Sequence, residues 1–302
     1  MVGRALRRLL QAEGCENVAS PSSRQFDLRD PAAARTMFAA GPYDCVFHLA
    51  GHIGGIGASI AAPVEFLHEN AAIGMNVVHA ARESGVGKLI FLSSSCAYPR
   101  DCPQPMREDY LLTGPLEPTN EGYALAKIAT MKLIEYSNRQ YGTNFISLMP
   151  CNLYGPGDHY EPVRSHAVSA LIYKMHHAKL HGLDSVEAWG TGASRRELLY
   201  VDDLAEAMLH FMRNVEAREI ETFVNVGLGK DVAIRDLATM IKEVVGFKGR
   251  IEFNPEKPDG MPRKLMDVSR AANLGWRAKV EIAEGLRRAY DGYVNELKAS
   301  GT

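Results

Sequence analysis

Short runs of apolar residues alternate, along the first half of the chain, with longer stretches whose apolar positions recur at helical spacing. Residues 45–50, 88–93 and 144–149 are apolar runs bounded by polar or glycine-containing turns, the pattern of parallel strands buried on both faces. Residues 65–84 and 123–141 carry the helical period. The first stretch stops at Gly85; the second begins after Thr119 and Asn120 and stops at Gly142. Strand, helix, strand in this order predicts an α/β fold, a doubly wound parallel sheet of Rossmann-like type. After Pro150, loops rich in Gly, Pro and Arg separate helices predicted over 166–180, 201–214, 234–245 and 282–297. The expected organisation is a nucleotide-binding domain over 1–150 and a smaller substrate lobe drawn mostly from 151–302, with some segments returning to the first domain.

The beginning of the chain breaks this rhythm. A dinucleotide site opens with a strand, a glycine-rich turn and a helix N-terminus that holds the pyrophosphate. Here Met1-Val2-Gly3 runs directly into Arg4-Ala-Leu-Arg-Arg-Leu-Leu10, which reads as the last glycine of that turn followed by its helix. The expectation is a partial open reading frame whose start lies about ten residues upstream, the length of one strand and a turn. The rival is a natural variant that has discarded its phosphate loop. A longer frame in the source DNA decides for the first; a stop codon immediately before Met1 decides against it.

Composition narrows the function classes. Lys and Arg number 34 against 36 Asp and Glu, a formal charge of −2, so no broad basic field argues for nucleic acid or an anionic membrane. No apolar run approaches the roughly 18 residues of a spanning helix, and residues 3–13 are too charged for a signal peptide, which points to the cytoplasm. The five cysteines (Cys15, Cys45, Cys96, Cys102, Cys151) show neither a C-x-x-C pair nor metal-finger spacing, so neither structural disulfides nor a metal is expected. His176, His177 and His181 lie in a polar stretch and read as a solvated helix face.

One constellation carries chemistry. Ser93-Ser94-Ser95-Cys96 ends a predicted strand, and Tyr123-Ala-Leu-Ala-Lys127 places a tyrosine and a lysine four apart on one helical face. A lysine cation there is expected to lower the phenol from its ordinary value of about 10. Tyr123 then passes a proton to a ketone oxygen as hydride reaches the carbon.

With these residues placed, the chain resembles the extended short-chain dehydrogenases/reductases and, among them, the GDP-L-fucose synthase family. The resemblance rests on His52-Ile-Gly-Gly-Ile56, Ser94-Ser-Cys-Ala-Tyr-Pro99, Glu117-Pro-Thr-Asn-Glu-Gly-Tyr123, Asn152-Leu-Tyr-Gly-Pro156, Ser165-His166, Trp189-Gly-Thr-Gly192, Arg196-Glu197, Val201-Asp-Asp203, Lys257-Pro-Asp-Gly260 and Pro262-Arg-Lys264. It implies an NADPH-dependent enzyme that inverts C3 and C5 of GDP-4-keto-6-deoxy-D-mannose and reduces C4, giving GDP-L-fucose. Cys96 would be the base and His166 the acid on the opposite side. Ser94 would bond the C4 oxygen, Tyr123 would protonate it, and Lys127 would also hold the nicotinamide ribose. A free thiol ionises near pH ~8.5, so Cys96 needs a cationic or hydrogen-bonding neighbour to act at neutral pH.

By the same resemblance, Gly3, Leu49, Ala50, Pro150, Asn152, Leu153 and His166 would line the cofactor, and Asp27-Leu28, after a strand, would meet the adenine. At the end of the second strand Ser20-Pro21-Ser22-Ser23-Arg24 offers hydroxyls and a guanidinium and no carboxylate, which suits NADP(H) over NAD; Arg24 reads equally as a solvated turn. Lys174, Arg196 and Lys264 are the cations for the substrate's diphosphate, with Trp189 near the sugar or base and Lys174 alternatively solvated. A homodimer through helices 65–84 and 123–141 is implied. His52, Val163 and Arg164 depart from the family pattern, and Arg164 sets a cation beside His166 that disfavours a protonated imidazole. Three alternatives stay open: a related GDP-keto-heptose epimerase or reductase, a UDP-sugar 4-epimerase that keeps NAD tightly bound, and a non-catalytic NADP-binding protein. Cys96 together with His166 argues against a simple reductase or 4-epimerase.

Overall fold

The computed structural model describes residues 1–160, 165–257 and 260–300. The first elements are α1 (Val2–Ala12), α2 (Pro31–Ala39), β1 (Cys45–His48), α3 (Ile56–Ala61), α4 (Pro63–Glu83), β2 (Lys88–Leu92), α5 (Glu121–Tyr141), β3 (Phe145–Pro150) and β4 (Asn152–Tyr154). There follow α6 (Ala167–Leu180), β5 (Ser185–Trp189), β6 (Arg195–Tyr200), α7 (Val201–Asn214), β7 (Val224–Val226), β8 (Asp231–Ala233), α8 (Ile234–Val245), β9 (Arg250–Asn254), β10 (Arg263–Lys264), α9 (Ser269–Asn273) and α10 (Ile282–Ser300).

The main sheet is parallel throughout, in the order β1-β2-β3-β7. Every residue of β2 and β3 is buried. Successive side chains of a strand point to opposite faces, so helices must cover both faces of these two strands. α5 packs on β3, α7 on β2 and β3, α1 along α7, and α2 along α4. α4 and α5 lie close because Gly74 faces Thr130; a Cβ at Gly74 would come 2.1 Å from the Thr130 hydroxyl. α5 ends as predicted, with Gly142 in the left-handed region at φ 67°.

β1 has a single strand neighbour among the described residues and runs from an exposed Cys45 to a buried His48. This is where the structure departs from expectation. Residues 13–30 contain no strand, so Arg24 and Asp27 follow turns and not strand ends. A strand must pair its backbone N–H and C=O groups, and here local side-chain bonds satisfy them: Gln25 Oε1 accepts from Ser22 N at 2.9 Å, and Asp30 caps α2 through Ala32 N at 2.9 Å.

The remaining strands form a second assembly. β10, β6 and β4 are parallel, β8 adds antiparallel to β6, and β5 pairs with β9. α6, α8 and α10 cover a core of Tyr154, Leu171, Met175, Leu198, Leu237, Ile241 and Leu286. The histidines of α6 correct the solvated-face reading. His176 is buried with Nδ1 3.0 Å from the Tyr290 hydroxyl, and His177 Nε2 lies 3.4 Å from the Tyr293 hydroxyl, so both face α10; His181 alone is exposed.

Candidate active site

β2 delivers its last residue, Leu92, to the head of a short turn, Ser95–Ala97, whose N-cap is Ser94. The Ser94 hydroxyl accepts from Cys96 N at 3.3 Å, which sets the thiol on the same turn as the hydroxyl. α5 packs against this turn and brings Tyr123 and Lys127 to it. Lys127 is buried, and its Nζ donates to the Leu92 carbonyl at 2.9 Å. The lysine thus ties helix to strand end.

The electrostatics differ from the sequence expectation in one respect. Tyr123 is pushed up, not down, because burial disfavours the phenolate; a Cys96 anion adds to this and a hydrogen bond with Ser94 partly offsets it. Lys127 spends its charge on Leu92 and lies 5.6 Å from the centroid of the Tyr123 ring. Burial brings Lys127 itself down to about 8. Tyr123 therefore holds its proton at neutral pH. Near them His48, buried with its ring centroid 5.3 Å from that of Phe91 and tilted 35° to it, is lowered to about 3 by burial and the Lys127 charge, so its ring is neutral.

The cations separate into two groups. Lys264 in β10 sits opposite Arg196 in β6, and its Nζ reaches the Cys96 sulfur at 3.6 Å. Arg196 donates to the Arg195 carbonyl at 2.8 Å. Lys174 donates to the Glu187 carbonyl at 2.9 Å, and its Nζ lies 5.8 Å from the centroid of Trp189, which is 50 % exposed. Burial lowers Lys174 and Glu187 opposes it. Lys257, which composition alone did not single out, joins Trp189 at 5.6 Å.

His166 is the exposed N-cap of α6, and among the described residues no hydrogen bond links its ring to Cys96 or Tyr123. Val163 and Arg164 lie outside the described residues. Leu49 and Ala50 follow β1, Pro150 ends β3, and Asn152 and Leu153 open β4. Gly3 lies in α1, where a Cβ would come 3.9 Å from Leu49.

Arg24 is exposed in its turn, while Asp27 is held by Arg29 at 2.7 Å and lowered to about 2 by those bonds. Arg29 also reaches Glu69 at 2.8 Å, and Glu69 reaches His52 Nδ1 at 2.9 Å. Leu28 is half-buried beside this chain of charges, and its carbonyl accepts from Asn76 Nδ2 at 3.0 Å. Asn70 was missed: its amide grips the His52 N–H and carbonyl at 2.9 and 3.0 Å and fixes the loop after β1. Only its helical spacing from the loop, which the fold creates, could have signalled it.

The family described as "NAD dependent epimerase/dehydratase family" matches residues 1–227. The chain is 44 % identical over 297 residues to GDP-L-fucose synthase 1 of Arabidopsis thaliana, covering 98 % of the chain and 91 % of that relative. It is 43 % identical over 300 residues to GDP-L-fucose synthase of Escherichia coli (strain K12), covering 97 % and 94 %. Among solved structures, the GDP-mannoheptose C4 reductase from Campylobacter jejuni with NADP bound superposes with a TM-score of 0.90 at 35 % identity, over 97 % of this chain and 95 % of that one.

Proposed function

The chain belongs to the NAD-dependent epimerase/dehydratase family, and from that premise we propose that it converts GDP-4-keto-6-deoxy-D-mannose to GDP-L-fucose by 3,5-epimerisation and NADPH-dependent 4-reduction. The observation that carries this reading is the convergence of Ser94, Cys96, Tyr123 and Lys127 on the end of β2, with a protonated phenol and a thiol on adjoining elements.

The C4 ketone makes the hydrogens at C3 and C5 acidic. Cys96 takes each proton: the C–H bond breaks, an S–H bond forms and the electron pair moves onto the C4 oxygen. His166 returns a proton to carbon from the other side. Each such transfer contributes roughly 10² to 10⁴ in rate. Ser94 and Tyr123 hydrogen-bond the C4 oxygen throughout, and Tyr123, which holds its proton at neutral pH, delivers it there in the reduction.

NADP(H), when bound, supplies the hydride that C4 receives. The residues on the nicotinamide side fit it. A Cβ at Gly51 would come 2.9 Å from Asn70 Oδ1 and 3.8 Å from Lys127 Nζ, so bare backbone faces the lysine assigned to the ribose. Gly3, Leu49, Ala50, Pro150, Asn152 and Leu153 line the rest. Arg24 and Asp27 serve the adenosine end, and Lys174, Trp189, Arg196 and Lys264 hold the GDP moiety.

A second reading, reduction of a related GDP-keto-heptose, is favoured by the 35 % identity to a heptose C4 reductase. One experiment separates the two. The purified chain is titrated with NADPH and then given GDP-4-keto-6-deoxy-D-mannose, with cofactor absorbance and product sugar followed. NADPH oxidation with GDP-L-fucose formed supports the first reading; cofactor binding without turnover of that sugar overturns it in favour of another GDP-keto-sugar.

The protein acts as a homodimer. Val64, Leu67 and Met75 on α4, with Leu125 and Tyr136 on α5, are exposed apolar residues at helical spacing on two helices that pack together, which supports pairing through them. Two hydrophobic clusters, one around the main sheet and one under α6, α8 and α10, support a cofactor part built on 1–150 to which α7, β7 and α9 return, and a substrate part drawn from the rest of 151–302. No helix among the described residues is long and apolar enough to cross a membrane.

A further inference from the structure

The proposed reaction asks Cys96 to take protons from carbon, and a neutral thiol is a poor base. Resting on that reading, we propose that Lys264 is the positioning residue that holds Cys96 as its thiolate. Lys264 Nζ donates to the Cys96 sulfur at 3.6 Å, across 168 positions of sequence. Groups from three elements surround Cys96. Ser94, on the same turn, accepts from the Cys96 backbone and offers no charge. Tyr123, from α5, holds its proton and becomes harder to ionise when Cys96 is an anion. Lys264, from β10, is the cation in contact with the sulfur among the described residues.

The lysine is also delivered rigidly. Its strand lies in register beside Arg196. The next residue, Leu265, donates to Gln104 Oε1 at 2.8 Å and accepts from Met106 N at 2.7 Å. Met266 N donates to the buried Glu197 carboxyl at 2.7 Å. The backbone after Lys264 is thus fixed on both sides, which sets the point from which the side chain reaches the sulfur. An ammonium has three donors, so one bond to sulfur leaves two for phosphate oxygens. In the reaction the thiolate takes the proton from C3 or C5 and becomes a thiol, then releases it to solvent; Lys264 stays protonated throughout.

The test uses the full chain without substrate. Iodoacetamide alkylation at Cys96, which counts the thiolate, is followed by peptide mass spectrometry from pH ~6 to ~10 in the unaltered protein, K264M, K264Q and K264R. At pH ~7 both neutral variants are expected to react roughly five- to tenfold more slowly, the effect of one charge about 4 Å away in a largely aqueous setting. The difference closes toward pH ~10, where a thiol ionises unaided, and K264R stays near the unaltered protein. Buried Cys151 remains unlabelled in a folded chain, so each digest reports its own fold and either neutral variant suffices. Unaltered rates in the neutral variants, or a K264R as slow as they are, overturn the proposal. Solvent deuterium incorporation at C3 and C5 of the GDP-keto sugar is measured in parallel. Its absence in the unaltered enzyme sinks the epimerase reading while the alkylation result still decides the Lys264 contact.

Discussion

The turn after β2 and the segment between α1 and α2 both carry chemistry legible in the sequence, yet the fold treats them differently. At the end of β2, Ser94, Cys96, Tyr123 and Lys127 are held by a doubly covered strand, a buried ammonium and a helix packed against the turn. Around Asp27, a surface network of Arg29, Glu69 and His52 does the holding, and no strand underlies it. The lesson concerns leverage. A change in the first region strands a buried polar group, whereas a change in the second is compensated by water.

The contrast is broken most severely at Tyr123. Y123F keeps the ring and removes the proton donor, so NADPH oxidation is expected to fall by roughly 10² to 10⁴, with Cys96 alkylation and NADPH binding retained. Loss of less than tenfold in steady-state assays would remove Tyr123 from the reducing step.

Next come two buried ionisable groups whose shifts have opposite consequences. Lys127 is lowered from 10.5 to about 8, so between those values the unfolded chain carries the extra proton and stability from this group rises with pH. The most this can amount to is about 3 kcal/mol. K127M strands the buried Leu92 carbonyl at every pH, so the test is the change with pH: relative to the unaltered protein it is expected to lose ground in urea unfolding between pH ~7 and ~10.5, while its turnover collapses. A stability difference between the two chains that does not change with pH would show that the lysine is not desolvated.

Glu197, which accepts from Gly229 N and Met266 N at 2.7 Å each, is raised from 4.5 to about 7 by burial. Here the folded chain holds the extra proton, so stability is lost as pH climbs from 4.5 through about 7. Urea midpoints at pH ~5 and ~8 should show this fall in the unaltered chain and not in E197Q. The Gln variant is lower overall, because its amide NH₂ accepts no hydrogen bond and leaves one of the two backbone N–H donors unpaired.

The smallest effect belongs to the surface network. R29A is expected to leave the melting midpoint unchanged at about 0.15 M salt, since exposed ion pairs are screened and carry little stability. A marked drop would make the Asp27 region structural and erase the contrast with β2.

Elements whose signal is local were readable in advance. α7 and α8 occupy 201–214 and 234–245 as their apolar period predicted, and α5 stops at Gly142, because helix period and a left-handed cap are properties of neighbouring residues. The Ser94–Cys96 turn and the Tyr123–Lys127 pair were legible for the same reason. The histidines of α6 were not: polar by composition, they are covered by tyrosines more than 100 positions away on α10.

By itself, then, the sequence determined the course of the long helices α4 to α8 and of three strands of the main sheet, β1, β2 and β3, which residue types stand at the end of β2, and the family to which they belong, but neither α2 nor the buried strand β7. Tertiary structure decided what each charge touches. Lys127 meets Leu92 instead of tuning Tyr123, and Lys264 meets Cys96 across 168 positions. Residues 13–30 turn back on their own side chains where a strand was expected. Hydrogen-bond and charge partners act over a few ångströms of space, and only the folded chain defines which residues come that close.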